Sequence, residues 1–175
     1  LALADPGRVQ KYVDAQQTAQ PTPRELPKTL GQAPAQEATN VEVYKKAAPA
    51  TVLVLAGEHV GSGVVISSTG DVVTNWHVVS DAKQVAVVFK PEHGVEIRKE
   101  LTFSAILIKV DEVADLALLR IVQPPKDVPY LPLGDVAKVQ VGQNAHSIGH
   151  PKGEVWTYTV GTVSQIRPDY KWKSA

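Results

Sequence analysis

From Thr51 to Ile166 the chain repeats one pattern: a short run rich in valine, isoleucine and leucine, then a cluster of turn-forming residues. The first six runs lie at 51–57, 61–67, 71–75, 84–90, 101–110 and 115–122. Gly57, the stretch Ser68-Thr69-Gly70-Asp71, and Pro91 with Gly94 fall between them. β-Branched residues in runs this short, bounded by turn formers, specify strands rather than helices. Two more runs, 143–149 and 155–166, follow the loop QPPKDVPYLPLGD, and Gly161 interrupts the last. Glycine at such a place predicts a bulge or a close backbone approach. Many short strands with almost no helix make the fold class all-β, a barrel or a sandwich. Residues 123–135 read as a bridge between two sub-barrels.

The first forty residues are of another kind. They hold six glutamines and five prolines, and Tyr12 is their only aromatic residue. Residues 8–20 are predicted to form a short helix with Val9, Tyr12 and Val13 on one side. Pro21, Pro23, Pro27 and Pro34 follow, and proline at that density removes backbone donors and blocks helix and central strand alike. Residues 1–40 are therefore read as an arm or linker. At its end Thr39 and Glu42 have capping-box spacing, which predicts a two-turn helix from Thr39 to Lys46 or Ala47, stopped by Pro49.

Composition narrows the function classes. Eighteen basic side chains balance eighteen acidic ones, so nothing in the charge favours a nucleic-acid or anionic-membrane partner. Hydrophobic residues at 43% with 21% charged residues describe a folding chain, not a wholly disordered one. No apolar run reaches the roughly 18 residues that a membrane-spanning helix needs. With no cysteine there is no disulfide framework, no thiolate nucleophile and no cysteine-ligated zinc. The opening Leu1-Ala2-Leu3-Ala4-Asp5 reads like the last residues of a secretory signal peptide, which suggests export to a periplasm, cell envelope or exterior. An arbitrary boundary is the alternative, and an organellar or cytoplasmic site stays open.

Three segments carry chemistry-bearing residues. His77 follows a hydrophobic strand in Thr74-Asn75-Trp76-His77-Val78-Val79; Asp115 opens the run at 115–122; His150-Pro151-Lys152-Gly153 ends a third strand. Spacing alone leaves each open to a structural role. Together they resemble the trypsin-like serine proteases, and specifically the HtrA/Deg branch. The resemblance starts at Tyr44-Lys45-Lys46-Ala47-Ala48-Pro49-Ala50-Thr51-Val52 and continues through Gly61-Ser62-Gly63-Val64-Val65-Ile66 and 70–79. It takes in Asp115-Leu116-Ala117-Leu118-Leu119-Arg120, then Leu131-Pro132-Leu133-Gly134-Asp135, Ser147-Ile148-Gly149-His150-Pro151-Lys152-Gly153 and Thr159-Val160-Gly161-Thr162-Val163-Ser164. It spans roughly residues 41–168, in order.

The resemblance implies a double β-barrel: residues 41–135 as the first barrel, with two members of a catalytic triad, and 136–175 as the opening strands of a second. It implies a serine endopeptidase acting on exposed or unfolded polypeptide, with His77 as general base and Asp115 orienting it. A serine hydroxyl is hardly ionised near neutral pH, so an imidazole titrating near 6.5 must take its proton and later pass it to the leaving amine. Asp111 is the second candidate carboxylate. No cofactor is expected. A metal at His146 and His150 is weighed and set aside, because no third ligand is evident and a strand end separates the two rings.

The sequence departs from the family pattern at three places. Trp76 stands where the family usually has a small or polar residue, and is read as packing on the barrel. His150 stands where asparagine is usual, and is read as drift. The Gly-Asn-Ser-Gly-Gly nucleophile motif is absent: Ser62 reads as a turn residue, and Ser164 and Ser174 lack the glycines. The chain alone is accordingly predicted to be inactive. A half-built second barrel would expose strand edges and apolar surface, so a complementary carboxy-terminal half or an oligomer is the expected partner. The alternative function is a non-catalytic trypsin-fold protein that binds polypeptides or holds an assembly together. A fluorophosphonate probe is expected to modify no serine in residues 1–175, as read by peptide mass spectrometry. A labelled serine in that range overturns this reading.

Overall fold

In β1 (Thr51–Ala56) the side chains of Val52, Val54 and Ala56 are fully buried in the main core, as the two-residue period of a strand requires. The same alternation along the neighbouring strands closes the sheet. The computed structural model describes the backbone of residues 35–167 and the side chains of 40–167. The predicted arm up to residue 34, with its helix over 8–20, lies outside the described residues, as do residues 168–175.

Six antiparallel strands form a closed barrel: β1, β2 (His59–Val65), β3 (Asp71–Thr74), β4 (Val85–Val88), β5 (Thr102–Asp111) and β6 (Leu116–Ile121). Around the barrel the order is β1, β2, β3, β6, β5, β4, and β4 returns to β1. Closure leaves the barrel with no free edge, which is how a sheet of short strands satisfies its backbone groups. Val65, Val72, Val87 and Leu119, none of them exposed, fill the interior with Phe89, Ala105, Ala117 and Ile121.

A separate two-stranded antiparallel sheet follows, built from β7 (Asn144–Gly149) and β8 (Thr157–Thr162). The molecule is thus mostly β, a complete barrel followed by part of a second sheet.

The first seven strands match the predicted runs to within two residues at each end, and the eighth is trimmed to Thr157–Thr162. Gly161, predicted to mark a bulge or a close backbone approach, pairs in regular register with Ala145, and a Cβ there would meet nothing within 4 Å. The irregularity lies instead in β5 between Leu107 and Lys109, opposite β6. There Ile106, Leu107 and Ile108 are each at least 44% exposed, so the apolar run at 106–108 does not serve the core. Helix α1 (Ala35–Ala47) begins four residues before Thr39, which therefore lies inside it rather than capping it. Residues 35–38, Ala-Gln-Glu-Ala, are good helix formers and outweigh the capping signal. The short 3₁₀ turn Ala48–Ala50 takes up Pro49 and leads into β1. Ser62, read as a turn residue, lies within β2 opposite Leu53, since the strand runs through Gly61 and Gly63.

Truncating Leu119, fully buried in β6, removes core volume that the closed barrel cannot refill. Leu119→Ala is expected to cost about 2–5 kcal/mol of stability, read as a lowered urea midpoint with an unchanged slope.

Candidate active site

Strand β3 pairs with β6 through Thr74 and Ala117, so the chain leaving β3 meets the chain entering β6. An ion pair holds this register: the Arg120 guanidinium donates from Nε to Asp71 Oδ1 at 2.8 Å. The four-residue helix α2 (Trp76–Val79) begins directly past β3. Val78 and Val79 are buried and Trp76 packs against the core, as expected of it, which turns His77 outward with 70% of its side chain exposed. Gly61 of β2 makes the seat for this turn. A Cβ there would lie 2.6 Å from Val78 Cγ2, so any larger residue would push the helix off the barrel.

Asp115 occupies the last position before β6 with φ of 53°, a left-handed conformation that aspartate adopts more readily than most residues. Its backbone carbonyl accepts from Trp76 N–H at 3.1 Å. Its Oδ1 accepts from His77 N–H at 2.8 Å, and its Oδ2 lies 2.6 Å from His77 Nδ1. An ionised carboxylate only accepts, so Nδ1 carries the proton in this contact. His77 Nε2 makes no hydrogen bond among the described residues and faces outward. The His77 backbone N–H, above all, holds the Asp115 carboxyl below its ordinary value; burial opposes this, and the His77 ring and then the Asn75 amide add to the lowering.

The structure brings together the two residues that the sequence singled out, 38 positions apart. Asp111, the second candidate, does not join them. Its Oδ1 accepts from Ala114 N–H at 3.0 Å and so shapes the turn that presents Asp115.

His150 is more than a departure from a family pattern. It is 6% exposed and lies edge-on to Trp156, with ring centroids 5.1 Å apart. Its backbone N–H donates to Ser62 Oγ at 2.9 Å, which leaves the Ser62 hydroxyl proton for His150 Nδ1 at 3.1 Å. The Trp156 indole donates to the Thr51 carbonyl at 2.8 Å, and Tyr44 of α1 donates to the Trp156 carbonyl at 3.3 Å. These contacts tie the β7–β8 sheet to β1, β2 and α1. His146 is engaged elsewhere, with Nδ1 2.7 Å from the Tyr158 hydroxyl and its ring stacked on that side chain. Among the described residues no three histidine, aspartate or glutamate side chains gather as a metal site.

A closed antiparallel barrel with an exposed histidine hydrogen-bonded to an aspartate at the β3–β6 junction defines a protein of the chymotrypsin-like class. Residues 61–175 match the model of the trypsin-like peptidase domain, and the chain belongs to that family. It is 36% identical over 137 residues to the mitochondrial serine protease HTRA2 of Bos taurus, covering 72% of this chain and 28% of that protein. It is 43% identical over 104 residues to a DegP-like periplasmic serine endoprotease of Brucella suis, covering 59% of this chain and 19% of that protein. The crystal structure of Deg5 superposes with a TM-score of 0.65 at 28% identity, over 77% of this chain and 66% of that one. The relatives are thus HtrA/Deg-type serine proteases, and the chain spans less than a third of the length of these curated relatives.

Sequence reasoning missed Asn75 and the group formed by Tyr44, Ser62, His150 and Trp156. No spacing signal marks the latter, because its members come from α1, β2 and the connection between β7 and β8, spread over more than a hundred residues. It has a measurable consequence. Burial lowers the His150 imidazole from its usual 6.5 to about 4, so the folded form resists a proton that the unfolded chain accepts. Stability is therefore unaffected by this group above pH 6.5. It falls as the pH drops towards 4, by up to about 1.4 kcal/mol per pH unit. Replacing His150 by asparagine, which does not titrate, is expected to flatten that part of a pH series of urea midpoints.

Proposed function

We propose that this chain carries the base and the orienting carboxylate of an HtrA/Deg-type serine endopeptidase that hydrolyses exposed or unfolded polypeptides. Residues 1–40 serve as an arm, 41–135 as the first barrel and 136–175 as the opening strands of the second. The observation that carries the reading is the 2.6 Å contact from His77 Nδ1 to Asp115 Oδ2, with Nε2 left outward. In that arrangement the outward nitrogen has a lone pair to accept a hydroxyl proton, and the carboxylate behind it stabilises the imidazolium that results. The same imidazolium then protonates the departing amine.

The nucleophile comes from outside these 175 residues, since no serine here stands in the glycine-rich context whose backbone N–H groups also form the oxyanion hole. A carboxy-terminal segment bearing that motif, or an assembly that supplies it, completes the site and covers the β7–β8 sheet. The periplasmic designation of the DegP-like relative supports an exported protein engaged in protein quality control.

The test uses the protease completed by its nucleophile-bearing segment, with unfolded casein as substrate. His77→Ala and Asp115→Asn are each expected to lower kcat by on the order of 10⁴-fold while the protein stays folded. Turnover retained in His77→Ala overturns the assignment. A completed protein that binds casein without cleaving it would favour a non-catalytic binding role instead.

A further inference from the structure

Asn75 sits at the N-cap of α2, with extended backbone angles of −78° and 143°. Asparagine at that position ordinarily turns its side-chain oxygen inward to accept an N–H of the first helical turn. Here it makes no such bond. The N–H of His77 goes instead to Asp115 Oδ1. The Asn75 amide is directed across to β6: Nδ2 donates to Asp115 Oδ2 at 3.1 Å and to the Asp115 backbone carbonyl at 3.2 Å. Both neighbours are acceptors, which fixes the amide with its nitrogen towards them.

We propose that Asn75 is a positioning residue for the His77–Asp115 couple, and this rests on the catalytic role of that couple proposed above. One amide group bridges the backbone and the side chain of the same aspartate. It thereby restrains the left-handed backbone of Asp115 and the rotation of its carboxylate together. The restraint is needed because the pair is open to solvent: 70% of the His77 side chain and 42% of the Asp115 side chain are exposed. Water competes for both carboxylate oxygens there, and a freely rotating carboxylate would give His77 Nδ1 a partner only part of the time. With Oδ1 held by the His77 backbone and Oδ2 shared between the Asn75 amide and the imidazole, the carboxylate has one orientation. That orientation dictates the Nδ1–H tautomer and leaves Nε2 bare. Asn75 reaches neither the reacting nitrogen nor a substrate; it acts through Asp115.

The experiment compares the 175-residue chain with Asn75→Asp, which keeps the side-chain shape and loses both donors, and with Asn75→Ala. The readouts are the ¹⁵N shifts of the His77 ring, which report the tautomer, and the ¹³C titration of the Asp115 carboxyl. In both variants the Nε2–H tautomer is expected to grow in, and the Asp115 titration to move to higher pH, with the fold intact by amide spectra. A residue that merely braced the loop would leave the tautomer as it is. In the completed protease the same variants are expected to lower kcat by about ten- to a hundredfold with KM within about twofold, since the loss is one of orientation. An unchanged tautomer in both variants overturns the clamp and leaves the function of the couple standing. Turnover retained in His77→Ala overturns that function and leaves the clamp nothing to position.

Discussion

Everything at the site depends on the pairing of β3 with β6. These strands are not neighbours in sequence, and their antiparallel register places the exit of one beside the entrance of the other. Barrel closure therefore does more than bury valines. It converts a separation of 38 residues into a 2.6 Å contact, and the ion pair between Asp71 and Arg120 guards the register that makes this happen. A slip of one residue would turn Leu119 outward and carry Asp115 away from His77 at the same time. Core and chemistry are set by the same hydrogen-bond ladder.

The second sheet is held by different means. It shares no strand pairing with the barrel and is attached through side chains: an indole, an imidazole, a serine hydroxyl and a tyrosine. Such a joint is specific because its hydrogen bonds pair particular groups, and a buried group left unpaired is costly. It is also incomplete, since His150 Nε2 is buried without a partner among the described residues. The core of the barrel is built of apolar side chains, whereas the joint to the second sheet contains a group that can be charged.

How much of this could be read from the sequence follows from the range of each interaction. Strand positions were legible because alternation and turn residues are local; their number and shortness gave a barrel or a sandwich, and the resemblance chose the barrel. His77 and Asp115 were legible only through resemblance, since nothing in the spacing of residues 77 and 115 declares a contact. The role of Asn75 was hidden by its own propensity: asparagine before a short helix reads as a cap, whereas in the folded chain Asp115 does that work. Ser62 was misread as a turn residue between two glycines, although the strand runs straight through them. The exposed Ile106, Leu107 and Ile108 show the limit of the argument in the other direction, because apolar character in a strand does not reveal which face is covered.

Gly61 and Ser62 are adjacent, and they face different obligations. The first supports Val78 beneath the histidine; the second receives the backbone and ring of His150. A span of two residues in β2 therefore serves as the common footing of the imidazole and of the second sheet. Because Gly61 offers no side chain to compress, the footing has no cushion. A side chain added at Gly61 would therefore press on Val78 while the next residue, Ser62, holds His150.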